Sequence, residues 1–387
     1  MPVPTVSATQ VYSAARAIAP RVQEHYARHL ATMRGQGGSL AMLVPDAPAI
    51  EGMVDAAFWA SLRREEVYVP KISLAFLPPE RAGHPLLFQQ PLPVVPDALA
   101  RLGPAVERPG IHLGVWRQPA GLYVWGITWG IPPFCFVLEV IAPGLLVVKH
   151  RRAGDSGKFA NVVVLEGDRI KMVDERASSL PDCPELLTSL LGFDAPASWG
   201  DALNELVELA VSMRGHGRGG SMLVVPAGTD AWRKSIVHPI AYPVSPPFTK
   251  LADLTRHEAL ETGAEHTAWA EEIARAVDAF AGLTAIDGAT VINDRHELLA
   301  FGVKLGRRDG SPRVEQVVVT EPIEDSVPTV VHPSELGGTR HLSAAQFVHD
   351  QRDAVALVAS QDGRFTVFAW SPCEEIVHAH RVETLLL

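Results

Sequence analysis

The sequence predicts an α/β protein in two halves. A mixed β-sheet flanked by helices is expected in the C-terminal half, preceded by an α/β N-terminal domain of related topology. Three observations predict this. Apolar stripes of helical period alternate along the chain with short Val, Ile and Leu runs of strand length. Pro181, Pro184, Gly192 and Pro196 interrupt any regular element, which places the boundary near 181–199 and the domains at 1–195 and 200–387. Met33-Arg34-Gly35-Gln36-Gly37-Gly38-Ser39, before an apolar run at Leu40 to Val44, is similar to Met213 through Ser221, before Met222 to Val225. The likeness fits a duplication, and it also fits two unrelated helix–loop–strand units.

In chain order, a helix is expected from Val11 to Met33, kinked at Pro20 because proline lacks the N–H of an interior turn. Ile131 to Val148 reads as two buried strands around a Pro143-Gly144 turn, too interrupted to span a membrane. The second half opens with a helix over 199–213, where Leu203, Leu206, Val207 and Ala210 recur at i, i+3, i+4, i+7. Strand 222–225 follows, then an irregular stretch and a helix over 267–282 with Trp269, Ile273, Val277 and Phe280 on one face. Strands are expected at 289–292, 298–304 and 315–320, a helix at 343–352, and strands at 354–359 and 365–370 joined by an Asp362-Gly363 hairpin turn. Gly114-Val115 and Leu122 to Gly126 repeat the order of Gly288-Ala289 and Leu298 to Gly302, with Leu113 at the place of Asp287.

Composition excludes several classes. With 47% hydrophobic and 20% charged residues the chain buries real cores, so large-scale disorder is not expected. A formal charge of −10 without a Lys/Arg block argues against a nucleic-acid partner. Cys135, Cys183 and Cys373 form no CxxC pair, so neither a disulfide framework nor a cysteine zinc site is expected. No signal-peptide pattern or apolar span appears, so a cytoplasmic location without membrane attachment is the expectation. A Gly-x-Ser-x-Gly elbow is absent, and Gly215 to Gly220 lacks the Lys-Ser/Thr ending of a P-loop. Glu374, Glu375, His378 and His380 read either as alternating polar residues on an exposed strand or as a metal cluster.

Two short stretches carry chemistry. Gly337-Gly338-Thr339-Arg340-His341 leads into a helix, whose N-terminus offers unpaired N–H groups and the positive end of a dipole. Glycine lets backbone approach a ligand, and Thr339, Arg340 and His341 add a hydroxyl, a fixed cation and an imidazole. About fifty residues earlier, Asp287-Gly288-Ala289 places a carboxylate suited to a divalent metal beside phosphates. Together they read as a nucleoside triphosphate site.

The order of Asp287-Gly288-Ala289, Leu299 to Leu305, Gly338-Thr339-Arg340-His341 and Val358-Ala359-Ser360, behind the glycine-led strand Gly220 to Val225, resembles the diadenylate cyclase domain over roughly residues 200–370. Cyclases of that family often carry a sensor domain ahead of the catalytic one, and residues 1–195 look like such a domain. The resemblance implies condensation of two ATP into cyclic di-AMP, with Mg²⁺ or Mn²⁺ and self-association of catalytic domains face to face. It makes Asp287 the metal ligand and, with Arg340 and His341, catalytic. Gly338, Thr339 and Ser343 fall to the triphosphate, Gly288, Ala289, Gly302, Val303 and Leu305 to the nucleoside, and Ser360 to a phosphate or the metal. Leu342 stands where the family has a second arginine, with Arg307, Arg308 and Arg352 as candidate replacements. Gln361 stands where many members have a carboxylate, beside Asp362. The alternative is a cyclase-like domain that binds nucleotide without turning it over.

Overall fold

The computed structural model describes residues 11–34, 44–63, 70–151, 159–174, 205–257 and 264–387. Two compact units divide the chain, Met1–Val173 with the terminal Leu387, and Asp174–Leu386. The expected boundary at 181–199, most of the expected strand at 40–44 and the first turns of the expected helix at 199–213 lie outside the described residues.

The first unit opens with α1 (Ser13–Arg34), which keeps Pro20 inside the helix, and α2 (Ala47–Ser61). The Asp46 side chain caps α2 by accepting from the Ala49 N–H, and Ile50, Met53, Val54 and Ala57 form its buried face. The remaining elements are β1 (Ile72–Phe76), β2 (Leu86–Pro93), α3 (Pro96–Leu102), β3 (His112–Gln118), β4 (Gly121–Thr128), β5 (Phe136–Ala142), β6 (Leu145–Arg151), β7 (Phe159–Glu166) and β8 (Arg169–Met172). Its sheet runs in the order β2-β4-β3-β1-β5-β6-β7-β8. Ala15, Ile18, Ala19, Val22 and Tyr26 form the inner stripe of α1 against it.

The second unit contains α4 (Glu205–Gly215), β9 (Gly220–Val225), β10 (Tyr242–Phe248), α5 (Lys250–His257), α6 (Ala264–Leu283), β11 (Ala289–Asn293), β12 (Leu298–Val303), β13 (Val317–Thr320), β14 (Thr329–Val331), α7 (Thr339–Asp350), β15 (Val355–Ala359), β16 (Phe365–Ser371) and β17 (Ile376–Arg381). Its sheet runs β10-β12-β11-β9-β15-β16-β17-β13-β14. Strands β9, β11 and β15 are buried along their whole length because both faces are covered. Met222, Val224, Ile292 and Leu357 meet α4 and α6 on one face, while Leu223, Val225, Val291 and Val358 meet α7 on the other. The period-2 alternation of strand side chains thus builds an α/β/α sandwich.

The first seven strands of the two sheets share one plan. Each has the same order, one parallel pair (β1 with β3, β9 with β11), and antiparallel neighbours elsewhere. The correspondence differs from the sequence reading at its start, since the strand matching β9 is β1 at 72–76, not a run at 40–44. The units part company between the fourth and fifth of these strands counted along the chain. Residues 129–135 connect β4 to β5, whereas β13, β14 and α7 all lie between β12 and β15.

Two further expectations change. The helix after Gly338 begins at Thr339, four residues before the expected 343, so Arg340 and His341 belong to its first turn. The 374–380 segment is no exposed strand: His378 and His380 are 1% and 0% exposed on β17. His378 Nε2 is 2.9 Å from a Glu374 oxygen and His380 Nδ1 is 2.6 Å from the Thr320 hydroxyl, so both rings serve the packing of β17. No helix among the described residues is long and apolar enough to cross a membrane.

Candidate functional site

One rim of the second sheet collects the motifs. Strands β9 and β11 are parallel and start together, with Ser221 opposite Ala289. The antiparallel neighbours end there, Ala359 beside Gly220 and Val303 beside Ala289. Strand pairing alone therefore brings 217–220, 286–288, 302–305 and 360–364 to the same edge.

Gly288 and Gly302 make this rim possible. Gly288 has φ +109, and a Cβ there would lie 2.5 Å from the Gly302 carbonyl carbon. Gly302 has φ +64, and its Cβ would lie 2.8 Å from the Tyr242 ring. Two glycine backbones thus pass at a separation no side chain tolerates. Gly114 and Gly126 are paired across β3 and β4 in the first unit. The Asp287 side chain beside this crossing is 90% exposed, with Lys304 Nζ 3.7 Å from its carboxylate. An exposed pair of that length is weak and readily displaced. One carboxylate shared with phosphate oxygens and water is a usual Mg²⁺ ligand set, so the residues present fit the divalent ion. The first unit has the buried core residue Leu113 at the corresponding place.

Helix α7 supplies the opposite wall. Gly338 is its N-cap residue with no side-chain cap, and Gly337, Gly338, Thr339 and Arg340 are exposed. Ala344, Ala345, Phe347 and Val348 bury its inner face, fixing where its N-terminus points. An Arg340 Nη1 sits 3.0 Å from where a Gly219 Cβ would be, so the guanidinium lies over the loop that opens β9. Gln361 Nε2 donates to the Arg218 carbonyl in the same loop at 3.3 Å. His216 holds the loop from inside, with Nδ1 accepting from the Arg218 N–H at 3.1 Å and Nε2 3.2 Å from the Thr284 hydroxyl.

The structure gathers Asp287, Gly288, Gly302, Arg340 and Ser360 around this rim. Other residues read from the sequence take different places. His341 is 3% exposed, its ring packed against Gly337 and edge-on to Phe368, so it shapes the loop before α7. Burial lowers its pKa, with Asp362 opposing the shift, which favours the neutral ring. Ala289 and Val303 turn their side chains into the core and leave only backbone at the rim. Leu305 forms a bridge with Ile236, and Ser343 donates to the Arg340 carbonyl at 3.2 Å.

Lys304 and Arg218, from the stretches 302–305 and 215–220 weighed in the sequence, also stand here, and one residue missed from sequence joins them, Tyr242. Tyr242 is 50% exposed and stacks on Phe301 with centroids 4.7 Å apart and planes 12° apart. Its only sequence signal was an aromatic among prolines in an irregular stretch.

A cavity of about 840 Å³ opens at the opposite rim, past Val225, lined by Trp232, Arg308, Ser311, Asp350 and Arg352. Its buried acid, Asp350, is already engaged. Asp350 accepts from Ser311 Oγ at 2.5 Å, from the Arg308 N–H at 2.8 Å and from Gln346 Nε2 at 3.0 Å, while Arg352 lies 4.1 Å over the Trp370 ring. The motif-bearing rim keeps exposed charged groups for a ligand and is the better candidate. Arg308 and Arg352 therefore stand at the wrong end to replace the arginine missing at Leu342.

Comparison with known families concerns the first unit. Residues 40–129, spanning α2 to β4, match the family model described as "Probable sensor domain DACNV". The first unit is thus similar to that family over this stretch, which lies within the half read from sequence as a sensor. No curated protein matches the chain. Among solved structures, a double cysteine mutant of DacA from Staphylococcus aureus aligns at 14% identity over 51% of this chain and 89% of that one, with a TM-score of 0.22. A score that low carries no argument, and the reading of the second unit rests on its own geometry.

Proposed function

We propose that the second unit is a diadenylate cyclase domain and that the sensor domain regulates it. The observation that supports this is the meeting at one rim of the α7 N-terminus with Arg340, the glycine crossing of Gly288 and Gly302, and the exposed Asp287 carboxylate. In this reading the N–H groups opening α7, with Thr339 and Arg340, bind the triphosphate. Gly288 and Gly302 let the nucleotide lie against backbone, and Tyr242 offers an exposed aromatic face for the base. His341 acts as a positioning residue through Gly337.

The 3′-hydroxyl oxygen of one ATP attacks the α-phosphorus of the other. The bond to the β-phosphate oxygen breaks, pyrophosphate leaves with the electron pair, and the hydroxyl proton passes to solvent. Two such transfers turn two ATP into one cyclic di-AMP and two pyrophosphates. A Mg²⁺ or Mn²⁺ ion held by Asp287 would neutralise phosphate charge and acidify the attacking hydroxyl. The chain's own contribution is alignment and charge neutralisation. An open rim suits a site completed by a second copy face to face, so activity requires self-association.

Incubation with ATP and Mn²⁺ or Mg²⁺, followed by mass spectrometry, tests the reading. Cyclic di-AMP that disappears in Asp287→Asn is the expected result. A variant that keeps the parent rate overturns the assignment. A second reading is favoured by Leu342, whose 41% exposed side chain presents apolar surface beside the proposed phosphate site. In that reading the domain binds ATP and leaves it intact, which the same experiment shows directly.

A further inference from the structure

Three histidines of the first unit lie outside everything assigned above. His25 and His29 stand four residues apart on α1, which puts them on one helix face. His150 comes from β6, opposite Phe136 in the ladder. One ligand nitrogen from each ring lies within 4.8 Å of those from the other two. Ring centroids are 4.5 Å apart for His25 and His29, 5.6 Å for His29 and His150, and 6.1 Å for His25 and His150.

Hydrogen bonding sets which nitrogens face inward. His29 Nδ1 is 3.1 Å from the His25 carbonyl oxygen, and His150 Nδ1 is 3.3 Å from that of Arg151. A carbonyl only accepts, so both Nδ1 atoms carry the proton and both Nε2 atoms carry the lone pair. Imidazoles that bind metals are oriented by this same outward bond to a carbonyl. The Nε2 atoms of His25 and His150 are fully buried, while His29 is half-buried and marks the open side.

The wall behind them is built. Phe134 stacks on His150 at 5.3 Å and 23°, with its backbone in the left-handed region at φ 58. Its N–H donates to the Arg151 carbonyl at 2.7 Å, the group that also receives His150 Nδ1.

We propose that His25, His29 and His150 form a site in the first unit, outside the stretch that matches the sensor family, for a divalent first-row transition ion of the zinc class. Three nitrogen donors without a carboxylate select such an ion over Mg²⁺ or Ca²⁺. Zinc–nitrogen bonds of about 2.0–2.1 Å in a tetrahedron place ligand nitrogens about 3.4 Å apart. A bound ion would thus tie α1 to the end of β6. The site stands whether or not the second unit is a cyclase.

The untagged full-length chain, stripped with chelator and reloaded with Zn²⁺, tests this by metal-to-protein ratio after gel filtration. One ion per chain is expected, with tetrahedral absorption when Co²⁺ replaces Zn²⁺. His29→Gln, the least buried of the three, should weaken binding tenfold or more, and His150→Gln likewise. A parent chain that retains no Zn²⁺, or variants that retain as much as the parent, overturns the proposal. A readout without variants is ¹⁵N NMR of the parent: Zn²⁺ should shift the imidazole nitrogens of these three residues, and unmoved signals would refute the site.

Discussion

Replacing Gly288 by alanine tests the geometry of the rim most sharply. The added Cβ meets the face of the 302–303 peptide group, 2.5 Å from the Gly302 carbon, 2.8 Å from the Val303 nitrogen and 2.9 Å from the Gly302 oxygen. Backbone cannot rotate aside as a flexible side chain does, so β11 and β12 must separate at their junction. A non-glycine residue held at positive φ costs about 1–3 kcal/mol, and overpacking adds a similar amount. The expected total is about 3 kcal/mol. For a domain of this size that lowers Tm by about 6–12 °C. Gly338→Ala is the matched control, because φ there is −75 and nothing lies within 4 Å of the new Cβ. Loss of the glycine N-cap should cost under about 1 kcal/mol. Scanning calorimetry of the full chain, reading the transition of the second unit, compares the two. A Gly288→Ala protein that melts within 2 °C of the Gly338→Ala protein would refute the close crossing.

Three more predictions follow from the same structure. Phe347→Ala empties the fully buried face of α7 and should cost about 3–5 kcal/mol, read from denaturant midpoints; a cost under about 1 kcal/mol would mean that α7 is not anchored there. Leu342→Arg should tighten nucleotide binding by about tenfold or more, the worth of one charge-assisted hydrogen bond, and calorimetry showing no change would place residue 342 away from the phosphates. Burial lowers His112 to about 4 and His380 to about 3. A folded pKa below the unfolded value of about 6.5 gives stability that is full above pH 6.5 and lost as pH falls toward the folded value, by about 1.4 kcal/mol per pH unit per group. His112→Gln should flatten that slope for the first unit, and an unchanged slope would show that the ring is not buried neutral.

The central strands of the second sheet were legible because burial on both faces demands unbroken runs such as Met222 to Val225 and Val355 to Ala359. The stripe of Trp269, Ile273, Val277 and Phe280 was legible for the same reason on a helix. Edge strands were not. Strand β10 includes Pro243, Pro246 and Pro247, which removes the usual strand signal while leaving an edge ladder possible, and Tyr242 was lost with it. His378 and His380 looked like solvent-facing residues because composition cannot show that Thr320, 60 positions away from His380, supplies a partner. Of the candidate site, the local motifs were visible, while their meeting at one rim required strand order. His341 also shows that a motif residue can sit behind the surface it shapes.

The place where the two sheets diverge has a thermodynamic consequence. The path from β4 to β5 is residues 129–135, while that from β12 to β15 is residues 304–354, roughly seven times as long. Closure entropy grows only with the logarithm of loop length, so this extension costs roughly 2 kcal/mol. Burying Phe347, Val348 and the alanines of α7 recovers more than that. The connection is thus a tolerant insertion point in a frame used twice, and the same strands support a chain with or without an added helix at its edge.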